Sequence, residues 1–309
     1  MNTPPSNRKP RRLSCVFIRL LALTVFMAFV AGLALLSLSW GGSAGGTSRV
    51  EARSAMREQS SQQRLLLPGT VPVEDTMGAL SAQLLPYLST LGDHAGVEVY
   101  DLTGRHAYGF NNTARFLTAS SIKVPIMLAF FALKESQGRE PTAEETDLLT
   151  AMIEHSDNDA ASALFTEIGG AQGLASFLQH AGISDLTPNE SAWGYSQVTP
   201  QAMVNLLTRL HDGTILTAAH RASALYLMQH IENDQQWGVG DTAPAGATFA
   251  MKNGWVPGPD GLWSVNTSGI VNAGGESYII SVYTREQATL ADGQAIVQRI
   301  CSAVAAALV

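Results

Sequence analysis

The chain has 309 residues, 46% of them hydrophobic, and a formal net charge of −7 at pH 7. This length suffices for one large domain or two small ones with a sizeable core. The net negative charge argues against a general nucleic-acid-binding role. Cys15 lies at the start of a hydrophobic N-terminal segment and Cys301 in the last predicted helix. A disulfide between them would have to join the edge of a membrane to a folded domain, so we expect none, and we expect Cys301 to be a small buried hydrophobic residue.

The first 40 residues divide into a basic segment and an uncharged apolar segment. Arginines and lysines cluster in residues 1–19, whereas residues 20–40 carry no charge. About 20 apolar residues can span a bilayer as a helix, and positive charge before such a run predicts a cytoplasmic N-terminus. We therefore expect a cytoplasmic tail at 1–19, a single-pass membrane anchor at 20–40 and an extracytoplasmic remainder. The alternative is a cleaved signal peptide, which would release a secreted protein.

Residues 41–73 are rich in Gly, Ser and polar residues, which indicates a linker, and a folded domain is expected over 74–309. It begins with leucines at helical spacing and continues with two strands around 96–102 and 106–111, joined by a Thr103-Gly104 turn. Periodicity predicts six helices next, at 121–137, 142–154, 157–168, 171–181, 200–211 and 218–230. Three strands then follow at 247–256, 262–272 and 276–284, before a last helix at about 289–307.

Strands at both ends of the domain and helices between them favour an α+β fold over a parallel doubly wound sheet. We expect a five-stranded antiparallel sheet, assembled from both ends of the domain, to pack against a helical cluster.

The tetrapeptide Ser120-Ser121-Ile122-Lys123 has the pattern S-x-x-K and precedes an apolar run. A lysine one helical turn after a serine lies on the same face, and it can accept the serine proton if its pKa is lowered. The apolar run after Lys123 indicates burial, which would lower that pKa. The alternatives are a helix N-cap for the serines and a solvated surface lysine for Lys123.

Two further motifs follow in order, Ser156-Asp157-Asn158 and Lys252-Asn253-Gly254. The ordered set S-x-x-K, S-D-N and K-[ST]-G is typical of class A β-lactamases and penicillin-binding proteins. Over roughly residues 75–309 the chain resembles this bacterial superfamily of serine hydrolases, and the order of its helices and strands is the one expected of that fold. Taken alone, S-D-N could simply cap a helix, and Asn-Gly could form a hairpin turn.

The resemblance implies a role for each motif residue. Ser120 would be the nucleophile, Lys123 its general base or proton relay, and Ser156 the group that passes the proton to the leaving group. Asn158 would bind the substrate amide and help to hold Lys123, with Asp157 anchoring the loop. On the last strand motif, Lys252 would attract a substrate carboxylate, Gly254 would leave room for substrate, and the N–H groups of Ser120 and Trp255 would form the oxyanion hole.

The chain departs from the family pattern in two places. Asn253 stands where the family has Thr or Ser. Its amide can still donate a hydrogen bond to substrate, but it is longer and cannot relay a proton as a hydroxyl can. The segment from Ile183 to Pro200 lacks the E-x-x-L-N motif whose glutamate activates the deacylating water. Its one glutamate, Glu190, is either that base or a solvated loop charge.

The expected activity is therefore an acyl-enzyme serine hydrolase that acts on a β-lactam-like compound, a cell-wall peptide or another ester or amide, and that is a poor β-lactamase. The first alternative is a membrane-tethered penicillin-binding or sensor module that is acylated without turnover, and the second is a structural domain without chemistry. The histidines show no metal-ligand spacing and no phosphate loop or dinucleotide fingerprint is present, so no metal and no cofactor are expected. The oligomeric state stays open.

Overall fold

The structure is a computed structural model that describes residues 78–309. The expected tail at 1–19, anchor at 20–40 and linker at 41–73 lie outside the described residues. Within 78–309, no helix combines the length and the apolar character needed to cross a bilayer.

Nine α-helices are described in residues 78–309, and they include all the helices expected between the strands. In chain order they are α1 (Gly78–Leu91), α2 (Lys123–Ser136), α3 (Ala143–Ile153), α4 (Asn158–Glu167), α5 (Gly170–His180), α6 (Pro200–Asp212), α7 (Ala218–Gln229), α8 (Val239–Thr242) and α9 (Leu290–Leu308). The same part of the chain has eight strands: β1 (Ala95–Asp101), β2 (His106–Phe110), β3 (Phe116–Leu117), β4 (Leu186–Thr187), β5 (Gln197–Val198), β6 (Thr248–Pro257), β7 (Trp263–Ala273) and β8 (Glu276–Thr284).

Five of these strands form an antiparallel sheet in the order β2-β1-β8-β7-β6. Strands β1 and β2 come from the start of the described domain and β6 to β8 from its end, so the sheet closes only when both ends meet. This confirms the predicted α+β architecture, with its five-stranded antiparallel sheet and helical cluster. Strand β6 lies at one edge, and one side of its backbone is therefore free of sheet partners.

The sheet is covered on both faces. Helix α9 packs against β7 and β8 and also contacts α1, and its Gly293 lies against Val265. On the other face, Tyr283 of β8 contacts Ser121, just ahead of helix α2. Almost every residue of α2 from Lys123 to Phe131 is buried, which explains its continuous apolar run. The face toward α2 is the one that carries the candidate site, and we call it the site face.

A second, three-stranded sheet in the order β3-β5-β4 was not expected from the sequence. Its strands have two residues each, too few for an alternating pattern to be recognised. It joins the segment before Ser120 to the segment that contains Glu190, because Phe116 pairs with Val198 and Leu186 pairs with the same residue.

Polar side chains form a buried row across the site face of the main sheet. Register places Lys252 opposite Ser268, Ser268 opposite Ser281, and Ser281 opposite Glu98. The two serine hydroxyls are 2.9 Å apart. At the far end, Glu98 is fully buried and accepts a 2.7 Å hydrogen bond from Asn112, while its Oε1 has no hydrogen-bond partner among residues 78–309. Burial raises the pKa of Glu98 to about 8.

This buried carboxyl should make the stability of the domain depend on pH. Its ordinary pKa is 4.5, so between about pH 4.5 and 8 the folded chain keeps a proton that the unfolded chain releases, and stability falls as the pH rises. Glu98→Gln keeps the shape and an acceptor but cannot ionise. In urea unfolding at pH 5 and pH 8, the variant should lose less stability with pH than the wild type, by up to about 4 kcal/mol, since one pKa unit is worth about 1.4 kcal/mol.

The control for this prediction is Glu276→Gln, at an exposed position at the start of β8. It should keep the wild-type pH dependence. Equal loss of stability between pH 5 and 8 in the wild type and Glu98→Gln would contradict the assignment.

Candidate active site

Ser120 lies in the 3-10 turn Ala119–Ile122, and α2 begins only at Lys123, two residues later than the sequence predicted. The residue before the serine, Ala119, has a φ of 44°, which is uncommon for a residue with a Cβ. Strain of this kind persists where the surroundings hold it, often at functional sites. Part of that support comes from buried Asn266, whose amide donates to Leu117 O at 3.3 Å and to Thr118 O at 3.0 Å.

Lys123 is fully buried one turn after Ser120, so its interpretation as a solvated surface lysine is wrong. Its Nζ donates to Ser156 O at 2.5 Å, Ser156 Oγ at 3.1 Å and Asn158 Oδ1 at 2.8 Å. Burial lowers its pKa to about 8, against the opposing charge of Asp157. The Trp193 ring lies 5.2 Å from Nζ. An amine with this pKa has an appreciable neutral fraction near pH 7 and can accept a proton.

The Ser156-Asp157-Asn158 loop between α3 and α4 carries the partners of Lys123. Ser156 has a φ of 58°, and this left-handed turn directs both its carbonyl and its hydroxyl to the lysine. Asp157 caps α4 by accepting from Ala160 N at 2.7 Å, as expected for the anchor of this loop. Asn158 holds Lys123 and lines the cleft. The loop therefore caps helix α4 and also holds Lys123.

Strand β6 passes directly beside the Ser120 turn. A Cβ on Gly254 would lie 2.6 Å from Ser120 N, 2.9 Å from Ser121 N and 2.9 Å from Thr118 O, so only glycine fits there without a shift of backbone. Lys252, two residues earlier, shares the site face with Gly254 because strand side chains alternate. Burial, and then the positive charge of Lys123, lower the pKa of Lys252 to about 7.

Asn253 lies on the opposite face from Lys252 and is fully buried. Its Nδ2 donates to Gln235 O at 2.6 Å and to Trp237 O at 3.5 Å. Its side chain is thus committed to the backbone of the preceding loop, and neither Lys252 nor Asn253 lines the cleft beside Ser120.

A cleft of about 450 Å³ opens beside Ser120. Trp255 and Glu190, both predicted site residues, lie in its wall, and Glu190 is exposed. The segment that carries Glu190 is folded by Asn189, whose Oδ1 accepts from Ser191 N and Ala192 N. The structure thus brings Ser120, Asn158, Trp255 and Glu190 to one cleft, with Lys123 and Lys252 buried beside it.

The sequence analysis did not find three residues that contact this machinery. The first is Trp193, which lies over Lys123, and the second is Tyr283, whose hydroxyl is 2.9 Å from Ser121 Oγ inside the core. Gln235 accepts from Lys252 Nζ through Oε1 at 3.3 Å. These residues belong to no recognised motif. Only Trp193, in the segment that replaces E-x-x-L-N, could have been recognised as a candidate from the sequence.

Comparisons with known proteins identify a family and a fold. A family model described as "Beta-lactamase enzyme family" matches residues 133–308, which include Ser156 and Lys252, while Ser120 and Lys123 lie shortly before the match. A β-lactamase from Chitinophaga pinensis has a TM-score of 0.67 and 22% identity, over 74% of this chain and 99% of its own. The structure of PBP-A gives 0.67 and 21%, over 77% and 98%. A representative class A β-lactamase from Bacteroides cellulosilyticus gives 0.66 and 20%, over 76% and 99%.

The fold is that of the class A β-lactamases and PBP-A, with a buried lysine beside a cleft serine. The family match covers more than half of the chain, and the chain belongs to the β-lactamase enzyme family.

Proposed function

We propose that this protein is a serine hydrolase that forms an acyl-enzyme at Ser120 with an amide or ester substrate. The observation that carries the proposal is the Lys123 amine, fully buried one turn after a cleft serine and held by Ser156 and Asn158. In its neutral form Lys123 takes the proton of Ser120 as Oγ attacks the carbonyl. Ser156, 3.1 Å from Lys123 Nζ, then passes a proton to the departing amine or alcohol.

The oxyanion of the tetrahedral intermediate would be stabilised by the N–H groups of Ser120 and Trp255. The close approach of Gly254 to Ser120 N supports this assignment, because it brings the edge of β6 and the serine turn together. Asn158 lines the cleft beside Ser120 and is available for the substrate amide.

Labelling of Ser120 tests the proposal. A fluorophosphonate or fluorescent β-lactam probe should label the soluble domain, and Ser120→Ala should abolish labelling. Ser191→Ala, which removes another hydroxyl from the same cleft wall, should label like the wild type. Equal labelling of the wild type and Ser120→Ala at another residue would refute the assignment.

We further propose that the protein is a poor β-lactamase. Among the described residues that line the cleft, the one carboxylate is Glu190, which is exposed and not part of an E-x-x-L-N motif, so these residues supply no held deacylating base. Losing such a base costs about 10²- to 10⁴-fold in rate. Purified residues 70–309 should hydrolyse nitrocefin weakly. A kcat/KM above roughly 10⁶ M⁻¹s⁻¹, within the range of efficient enzymes, would contradict this prediction. Glu190→Gln would then test whether Glu190 is the deacylating base.

The second candidate function, a module that is acylated and does not turn over, follows from the same lack of a held carboxylate. Intact-protein mass spectrometry after mixing with a penicillin separates the two: a persistent adduct supports the binding module, and a transient one supports the hydrolase. No adduct, with labelling by the fluorophosphonate, supports an enzyme for other esters or amides.

We also propose that residues 20–40 anchor the protein in the membrane, with the catalytic domain on the extracytoplasmic side. The charge bias around this segment supports the orientation. Protease added to intact cells or spheroplasts should remove the domain and spare an N-terminal tag. Protection of the domain in both would overturn this topology, and a shortened mature chain would indicate signal cleavage.

A further inference from the structure

Gln235 engages the side-chain donors of both Lys252 and Asn253. Lys252 Nζ donates to Gln235 Oε1 at 3.3 Å, and Asn253 Nδ2 donates to Gln235 O at 2.6 Å. The two donors lie on opposite faces of β6, so Gln235 binds a side chain from each face of this edge strand, one through its own side chain and one through its backbone oxygen. Within residues 78–309, Gln235 Oε1 is the only hydrogen-bond acceptor of the Lys252 ammonium.

Gln235 is held in this position by further contacts. It ends the 3-10 turn Asn233–Gln235 and is 8% exposed. Its Nε2 donates to Glu232 Oε2 at 3.1 Å and to His155 O at 3.3 Å. Glu232 in turn pairs with His155 at 2.8 Å and donates its N–H to Glu154 O at 3.0 Å. The turn is thus joined to the residues just before Ser156.

The acceptor that this carboxamide supplies is neutral. A buried ammonium forms its strongest hydrogen bonds with carboxylates. Lys252 Nζ is instead fully buried, lies off the wall of the cleft and donates to Gln235 Oε1, so a substrate carboxylate would have to compete with Gln235 for it. The described wall of the cleft contains no lysine or arginine, and its one charged residue is the acidic Glu190. Aromatic side chains form much of the remaining wall: Phe165, Trp193, Tyr195 and Trp255.

We propose that the Gln235 side chain determines specificity by holding Lys252 away from substrate, so that this site selects apolar, aromatic esters or amides without a carboxylate near the scissile carbonyl. This inference rests on the proposed acylation of Ser120, and it names the substrate class of that site. Neutral compounds meet the aromatic wall, whereas a carboxylate would lie near Glu190 without an accessible cation.

Binding of a matched pair of ligands tests the proposal without requiring acylation. Benzylpenicillin and its methyl ester share one skeleton and differ in the carboxylate. In a Ser120→Ala background, calorimetry should show that Gln235→Ala binds the free acid at least about tenfold more tightly than the parent does, because a hydrogen bond to a charged group is worth roughly that factor or more. Affinity for the methyl ester should change much less.

Two further variants keep the test sharp. Gln235→Glu, which places a carboxylate of similar size on Lys252, should bind the free acid more weakly than the parent does. Gln236→Ala removes the neighbouring amide, which contacts Ile231 O and Asn233 Oδ1 and not Lys252, and it should leave both affinities unchanged. Circular dichroism verifies that each variant is folded. If Gln235→Ala unfolds, a free-acid affinity for Gln235→Glu equal to or above that of the parent overturns the proposal.

The proposal is also overturned if folded Gln235→Ala gains less than about twofold for the free acid, or binds neither ligand. Failure of the proposed hydrolase function would give a different result: the wild-type protein would not be covalently labelled at Ser120. The two results come from separate variants and separate readouts, so one can fail while the other stands.

Discussion

Lys123→Ala should slow acylation of Ser120 by about 10²- to 10⁴-fold, the range typical of a lost general base. The Lys123 amine is fully buried beside the serine, and its hydrogen bonds to Ser156 and Asn158 fix its position. Because burial lowers its pKa to about 8, the neutral base grows as the pH rises through this value. Wild-type acylation should therefore increase up to about pH 8 and then level off, and Lys123→Ala should lose this rise. Stopped-flow or gel-based labelling between pH 6 and 9.5 measures both effects.

Lys134 offers a matched control for this experiment. It lies on the same helix, is also fully buried, and pairs with Glu145 at 2.8 Å and with Glu167, away from the cleft. Lys134→Ala should lower stability, since it removes a fully buried side chain together with its ion pairs to Glu145 and Glu167, but should keep the labelling rate per folded molecule within a few-fold. If Lys123→Ala labels as fast as Lys134→Ala, Lys123 is not the base.

Gly254→Ala should reduce acylation by about 10²-fold or more while the domain stays folded. The added Cβ would meet backbone atoms, Ser120 N at 2.6 Å and Thr118 O at 2.9 Å, and neither can rotate away as a side chain can. The strand or the serine turn must therefore move, and a misplacement of about 1 Å in a catalytic group can cost on the order of 10²-fold. Labelling rates with the fluorophosphonate probe, together with circular dichroism, separate lost activity from lost folding.

Gly194→Ala provides the comparison for the effect of an added methyl group near the same site. The nearest atom to a Cβ at this position is 4.0 Å away, and the backbone there is not left-handed. Its labelling rate should fall far less than that of Gly254→Ala. Similar losses in the two variants would mean that the close approach of β6 to Ser120 is not what holds the site.

The secondary structure was largely predictable because its signals are local. The alternation around Val97 and the long β6–β8 strands indicated the main sheet, and the apolar run after Lys123 indicated a buried helix. The start of that helix was misplaced: the turn Ala119–Ile122 is 3-10, and the φ of 44° at Ala119 depends on packing around it rather than on its own side chain. The two-residue strands β3 to β5 were missed for a similar reason, since pairing, not pattern, defines them.

The candidate nucleophile and lysine could be found in the sequence because their chemistry needs a fixed local spacing. One helical turn between Ser120 and Lys123 follows from S-x-x-K, and the depressed pKa was anticipated from the apolar residues that follow. The partners of Lys252 and Asn253 could not be found in this way. Gln235 precedes them by 17 and 18 positions, in a loop without a motif.

By itself, the sequence determined the order of strands and helices, the family pattern and the serine–lysine pair, because periodicity and short motifs act over a few residues. Only the tertiary structure decided that Asn253 faces away from the nucleophile, that Gly254 approaches the Ser120 backbone closely, and that Gln235 accepts a hydrogen bond from Lys252. These features arise where the edge strand β6 meets a loop and a turn that are distant in the chain. Burial and hydrogen-bond satisfaction across such a meeting depend on the packing of the whole domain.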